Sequence, residues 1–500
     1  MTLSKSNYLT YLKHPVWLWL EKHDKGKLPE VTEDVQALFD AGNIFEKYAE
    51  ESFPDGVTLG YKTDGEFDGA KYTALPEKTQ KAIDEKVHVL FQGRLEIDGT
   101  TCIFDVLEAN SDGTYNLYEI KASSKAKPEH IHDLAFQKTV LEKAGLKIGN
   151  ISVVHVDNTY VRDGDIDSKQ IATKTDVTKK VEKIMGETAV EIEEAKKVLV
   201  AKEMPNPSPR YARMGALKEW ISIYRTLNTN IPKYSIYDLY KSGASRLGDF
   251  EDAGILTIQD IPADANITPV QNKQVQTTQL GQSIIDKDEI RKFLKNFEFP
   301  AYFLDYETFS NVMPPYDGTR PYQQVPFQYS LHVLESPEGE LIHKEYLHTE
   351  NTLPVEDVVK HLKDDIREKG SVVVWSSFEK QCHGVISEIA PEHTEFMDGL
   401  NERIVDLMAP FAKGWYTDKD FFGGSSIKYI LPALVPSMSY GDLNIKGGNT
   451  AQRVWMQTVI DERNPEKKDK VMNDLIKYCT RDTLAMVEIW RVLRNVVEGK

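Results

Sequence analysis

The chain has 500 residues, 40% of them hydrophobic and 10% aromatic, which excludes a wholly disordered or fibrous protein and leaves room for two to four domains of roughly 100–200 residues each. With 61 basic against 78 acidic residues the formal charge is −17, so nucleic acid is not coated by bulk charge, although one local groove or a metal-filled acidic site is compatible with it. No apolar run approaches the ~20 residues of a membrane span, and Lys5, Lys13, His14 and Glu21 break up the N-terminal apolar residues that a signal peptide would keep together, so a cytoplasmic protein without membrane contact is expected.

The first ~55 residues read as helices, with an apolar stripe from Val35 through Phe39, Gly42, Ala49 and Phe53. Extended segments are expected at Val87–Ile97, Thr101–Leu107 and Tyr115–Ile120, with hairpin turns at Asp98-Gly99 and Asp112-Gly113. A helix near Glu129–Ala144 and a buried strand Ile151–Val156 follow, then a charged helical region interrupted by Pro205, Pro207 and Pro209. A small helical connector with Gly243, Gly248 and Gly254 comes next, and Ile267–Ile285, rich in Gln, Thr and Asn, reads as a linker. Beyond it, strands are expected at Ala301–Tyr306, Tyr329–Leu334, Glu345–His348 and Ser371–Trp375, and the last 30 residues form one amphipathic helix. Strands first and helices interleaved afterwards predict α/β architecture, divided as 1–200, 201–265, 266–290 and 291–500.

Two groups of residues carry chemistry. In Phe303-Leu304-Asp305-Tyr306-Glu307-Thr308, strand alternation puts Asp305 and Glu307 on one face. Two such carboxylates repel unless a divalent cation lies between them or the strand end reaches solvent. On the last helix Leu475, Cys479, Asp482, Met486, Ile489 and Leu493 share one stripe, so Asp482 sits where a charge needs a metal or an ion-pair partner. Tyr478, four residues earlier, projects over the same face.

Asp-x-Glu on a first strand, an acid after a middle strand and Tyr-x-x-x-Asp on a late helix resemble the DEDDy exonucleases of the RNase H-like superfamily. The resemblance implies that Asp305, Glu307, Glu379 and Asp482 hold Mg²⁺ or Mn²⁺ and that Tyr478 orients the attacking water. Glu379, in Val-Val-Val-Trp-Ser-Ser-Phe-Glu, stands where the family usually has Asp, and Asp406 is a second candidate for the same role. Between these motifs, Gly423–Lys428 and Lys446-Gly447-Gly448 are glycine-rich, locally basic stretches that could admit a strand backbone.

In the N-terminal region Asp105 is followed, after a hairpin, by Glu119-Ile120-Lys121, in which Glu119 and Lys121 share a face. Glu46 interrupts the early apolar stripe, and Gln137 lies between Leu134 and Leu141 on the apolar side of its helix. In that order Glu46, Asp105, Glu119, Lys121 and Gln137 resemble the PD-(D/E)xK nucleases of RecB and CRISPR-associated RecB-like type. The resemblance implies a restriction-endonuclease-like α/β domain, Glu46, Asp105 and Glu119 as metal ligands, and Gln137 opening a Gln-x-x-x-Tyr motif whose Tyr is here Leu141. Many relatives carry an iron–sulfur cluster on four cysteines. Here Cys102, Cys382 and Cys479 lie far apart, and His14-Pro15 replaces a Cys-Pro, so no iron–sulfur cluster is expected.

From Leu3-Ser4-Lys5-Ser6 to Ser426-Ile427-Lys428-Tyr429-Ile430-Leu431-Pro432 the chain also resembles a bacterial family that fuses these two modules. The expectation is a metal-dependent nuclease acting on nucleic acid, DNA with single-stranded 3′ ends, with a 3′→5′ exonuclease site in the C-terminal domain and a second nuclease site in the N-terminal domain. An RNA-processing exonuclease, and a nucleic-acid-binding scaffold with an inactive N-terminal nuclease fold, are the alternatives.

Overall fold

The computed structural model describes residues 1–63, 65–463 and 465–499. It is mixed α/β and divides into two units: residues 1–231 with 243–249, and residues 232–242 with 250–500. The expected connector is therefore not a body of its own, since its residues are shared between the two units.

The first unit is built on a six-stranded sheet in the order Ala172–Asp176, Ile148–Val156, Tyr115–Lys121, Val106–Ala109, Val89–Phe91 and Val57–Thr58. The two long strands Tyr115–Lys121 and Ile148–Val156 run parallel, joined by the crossover helix Pro128–Lys143. Leu134, Phe136, Val140 and Leu141 on that helix are fully buried in the unit's core. Leu141 is thus a packing residue.

Each of the first two expected strands is really two strands in different sheets. Arg94–Ile97 and Thr100–Ile103 pair with Leu3–Ser4 in a separate three-stranded sheet. The break falls at Gln92, which has a left-handed φ of 54°, and at Gly93, where an added Cβ would stand 2.2 Å from Phe104 Cζ. Asp105 lies in the matching break between Ile103 and Val106, off the strand on which it was expected. The Asp98-Gly99 turn is as expected, both residues taking the positive φ of a tight hairpin.

The early stripe is corrected as well. On the helix Glu33–Glu50 only Phe45 and Ala49 are buried, whereas Val35 and Phe39 are 39% and 55% exposed.

The second unit holds a five-stranded sheet in the order Leu341–Leu347, Val325–Leu334, Ala301–Phe309, Val372–Val374 and Ile404–Asp406. The first three are antiparallel neighbours and the last two join in parallel. Tyr302, Leu304 and Tyr306 pack into one core cluster and Ala301 and Phe303 into another, as period-two alternation requires. The helix Lys468–Glu498 closes the unit, burying Leu475, Cys479, Met486, Ile489 and Leu493 as predicted.

The expected linker is a folded helix, Pro269–Leu280. Thr268 and Gln271 form a reciprocal capping box at its start, and Gly281 ends it with a φ of 66°. Its amides reach backbone carbonyls: Gln271 Nε2 donates to Tyr240 O at 2.8 Å and Gln274 Nε2 to Asp238 O at 2.8 Å. Polar composition here marks hydrogen-bonded packing, not a solvated tether. Among the described residues no helix is long and apolar enough to cross a membrane.

Candidate functional site

In the second unit the strand Ala301–Phe309 delivers Asp305 and Glu307, and the terminal helix delivers Tyr478 and Asp482 to the same place. Pairing with the neighbouring strand slips between Glu307 and Thr308, a bulge beside the second acid. Glu379 comes from the first turn of the helix Phe378–Ile389, where the helix's positive end favours an anion. All five line one cavity of about 400 Å³.

Electrostatically the carboxylates dominate this cavity, against the one lysine, Lys428, among its described lining residues. Burial, then Asp482, Glu307 and Glu379, push the Asp305 carboxyl well above the usual range. Burial and Asp482 do the same to Glu307. Burial lifts Glu379 to about 8, with a smaller push from Asp406, and Asp482 to about 6. Glu379 Oε2 is buried and, among the described residues, has no hydrogen-bond partner. Repelling carboxylates and an orphaned buried oxygen are the features of a site that could hold a divalent cation. Asp305, Glu307 and Cys479 each offer a ligand atom, all within 4.8 Å of one another.

Asp406 is placed differently. Its Oδ1 accepts backbone N–H bonds from Ser376 at 3.0 Å and Met408 at 2.9 Å, and it is not among the cavity-lining residues. It secures Ser376, whose φ of 92° is strained for a residue with a side chain, and so sets the start of the helix that carries Glu379.

Three further side chains join the site, of which Tyr440 alone escapes sequence reasoning. Tyr440 donates its hydroxyl to Asp482 Oδ1. Cys479 Sγ lies 3.7 Å from Asp305 Oδ2. Lys428 lines the cavity and donates its ammonium to Lys446 O at 2.9 Å, which brings the two glycine-rich stretches together at the rim. Nothing in the spacing of Tyr440 signals its role, whereas Cys479 shares the buried stripe with Asp482.

In the first unit Asp105, Glu119, Lys121 and Gln137 also meet, with two additions. Lys5 Nζ lies 2.8 Å from Glu119 Oε1, and Asp133 joins the acids. Lys121 also pairs with Glu119 and lies 3.6 Å from Asp133. Gln137 Nε2 donates to Glu119 Oε2 at 2.5 Å and to Asp133 Oδ1 at 2.8 Å. Burial disfavours the Glu119 charge, but Lys121 and Lys5 outweigh it and hold the carboxyl well below its usual value. Burial and Glu119 push Asp105 up to about 8. Glu46 lines a neighbouring polar cavity with Asp105 and accepts from Gln92 Nε2 at 3.0 Å. It is half-buried, not in the apolar face expected for it.

His14, at the position of the missing cysteine, is a packing residue. Its ring stacks on Trp220 at 3.7 Å, Nδ1 accepts from Val16 N, and Nε2 meets Ser208 O at 3.0 Å.

A family described as a domain of unknown function (DUF2779) matches residues 302–426, a stretch that includes Asp305, Glu307 and Glu379 and stops short of Tyr478 and Asp482. The uncharacterized protein MG366 homolog of Mycoplasma pneumoniae is 27% identical over 225 residues, 41% of this chain and 33% of its own length. The uncharacterized protein MG366 of Mycoplasma genitalium is 25% identical over 217 residues, 39% of this chain and 32% of its own. The chain thus spans about a third of the length of the curated relatives it matches.

Proposed function

We propose that the protein is a metal-dependent nuclease whose C-terminal unit is a DEDDy-type 3′→5′ exonuclease of RNase H-like fold. The observation that carries this reading is the convergence of Asp305, Glu307, Glu379, Asp482 and Tyr478 on one cavity, where burial and mutual repulsion raise the carboxyls despite Lys428 in the lining. The sheet, three antiparallel strands continued by two parallel ones, is compatible with that fold. Mg²⁺ or Mn²⁺ held by the four carboxylates would lower the pKa of a water and stabilise charge on the leaving oxygen.

The chain's own side chains supply the rest. The Tyr478 hydroxyl, near Asp482, is placed to orient the attacking water. Lys428 at the rim meets the phosphate of the incoming strand. Trp375, anchored by its Nε1–H to Ser425 O at 3.1 Å, and Phe378 offer aromatic faces for a terminal base.

The N-terminal unit is proposed as a second, RecB-like module, supported by the meeting of Asp105, Glu119, Lys121 and Gln137.

The test is release of nucleotides from 3′- and 5′-labelled single-stranded DNA, duplex DNA and RNA, in Mg²⁺, in Mn²⁺ and in chelator. Metal-dependent release from the 3′ end that Asp305→Asn abolishes supports the C-terminal reading, and the preferred substrate distinguishes DNA from RNA. No release from any substrate overturns it.

A further inference from the structure

The two acidic clusters solve the same electrostatic problem in opposite ways. The C-terminal carboxylates draw their compensation from Lys428 and Arg481, neither of which, among the described residues, bonds to them, whereas in the N-terminal cluster Lys5 and Lys121 pair directly with Glu119 and lie close to Asp133. Lys5 Nζ stands 2.8 Å from Glu119 Oε1, 3.7 Å from Asp133 Oδ1 and 3.9 Å from Asp105 Oδ1. One ammonium within reach of three carboxylates occupies the place that a bridging cation takes.

Its placement is enforced from both sides. Leu3 and Ser4 pair in parallel with Thr100 and Thr101, and Leu3 N donates to Gly99 O at 2.9 Å. Ser4 then caps the helix Lys5–Lys13 by accepting from Asn7 N at 3.2 Å, and Leu3, Tyr8 and Leu12 anchor it in the core. Lys5 is therefore the first helical residue, where the helix's positive end disfavours a cation. A lysine there is offset only by the acids it faces.

As the side chains stand, the cluster does not fit a divalent ion. Glu119 Oε1 is taken by Lys5 and Lys121, Glu119 Oε2 by Gln137, and Asp105 Oδ2 by the backbone N–H of Ile120 at 2.7 Å. Gln137 Oε1, buried in the same cluster, is left without a hydrogen-bond partner among the described residues. That acceptor is one that a hydrated cation would satisfy. Beside Lys5 and Asp105 opens a polar cavity of about 360 Å³, a solvated place for a displaced ammonium.

We propose that Lys5 is a tethered counterion that closes the Asp105–Glu119–Asp133 cluster, and that a divalent cation enters only when the Lys5 ammonium swings out into the neighbouring cavity. Like charges at this separation repel strongly where water is scarce, so the two cannot share the cluster. The N-terminal unit then folds without metal, and loading it is a competition. The inference holds whether or not the C-terminal cavity hydrolyses anything.

The experiment uses the full chain carrying Asp305→Asn, so that the C-terminal cluster contributes little, and titrates Mn²⁺ by the electron paramagnetic resonance of the free ion. Adding Lys5→Met is expected to tighten Mn²⁺ binding by about tenfold or more, and Asp105→Asn on top is expected to remove the gain. A Lys5→Met chain that binds Mn²⁺ no tighter than its parent overturns the proposal. Should that variant fail to fold, acetylation of the wild-type Lys5 amine, read by peptide mass spectrometry, decides. Faster modification in Mn²⁺ than in chelator supports displacement, and an unchanged rate overturns it. Neither readout depends on nucleotide release, so failure here is separate from failure of the nuclease reading.

Discussion

Tyr440 donates a hydrogen bond from its hydroxyl to Asp482 Oδ1, and its ring lies 6.2 Å from that of Tyr478. Asp482 is therefore held between a tyrosine on its own helix and one from a loop 42 residues earlier. That hydrogen bond lowers the Asp482 pKa against the effect of burial, keeping the carboxylate available as a ligand.

Tyr440→Phe should reduce metal-dependent activity by about 10–100-fold, as loss of a partner to a metal-ligating carboxylate generally does. The protein's Tm should hardly move, because the ring and its packing remain. Steady-state nucleotide release and a melting curve on the same preparation check both halves. Unchanged activity would remove Tyr440 from the site.

Glu379→Gln separates ligation from folding. The Glu379 carboxyl is raised to about 8 when folded, against an ordinary value near 4.5. The folded state therefore holds its proton more tightly than the unfolded state does. The wild type gains stability relative to Glu379→Gln as pH falls through about 8 towards 4.5, and is the weaker of the two above that window. In chelator above pH 8 the variant should melt a few degrees higher, on the order of 2–4 °C per kcal/mol relieved. On the proposed reading it should also lose both the activity and the Mn²⁺-dependent Tm gain expected of the wild type. A variant less stable than wild type throughout would show that Glu379 is paired in the apo protein.

His14 has the opposite sign. Burial lowers its folded pKa to about 4, against 6.5 for the ordinary imidazole. Its contribution is complete above pH 6.5 and is lost progressively as pH falls from 6.5 to 4, amounting to roughly 3 kcal/mol at the acid end. His14→Asn keeps an acceptor for Val16 N but cannot take up this proton. Urea midpoints of the two proteins should converge as the pH is lowered through that interval, and parallel curves would contradict the assignment.

Leu141→Tyr would complete the Gln-x-x-x-Tyr pattern of the proposed N-terminal module, but at a fully buried core position. Overpacking should destabilise the protein by about 1–3 kcal/mol, with no gain in cleavage. A denaturant midpoint unchanged by the substitution would mean that the core has room there.

Thr268→Ala removes one side of the capping box before the Pro269–Leu280 helix, a loss of about 1 kcal/mol for that helix. Limited proteolysis should spare residues 269–280 in the wild type and open them in the variant. Preferred cutting within 269–280 in the wild type would restore the linker interpretation.

What the amino-acid sequence determined by itself is whatever depends on short-range periodicity. The Asp-x-Glu pair shares a face because strands alternate, and Asp482 falls in the buried stripe because helices repeat every 3.6 residues. The Asp98-Gly99 hairpin follows in the same way, from residues that tolerate positive φ. The Pro269–Leu280 helix carries a legible signal too, since Thr268 and Gln271 stand at capping-box spacing, while its Gln- and Thr-rich composition resembles that of a solvated linker.

Only the tertiary structure decided which charges meet. Lys5 and Glu119 are 114 residues apart, and their contact exists because Leu3–Ser4 pairs with Thr100 and Thr101 in one particular register. The same holds for Tyr440 on Asp482, and for Asp406 bonding the backbone at Ser376 rather than lining the cavity. Hydrogen bonds are lost within about an ångström of their ideal length and ion-pair energies weaken with separation, so both respond to where separate elements dock, a quantity that local pattern does not encode.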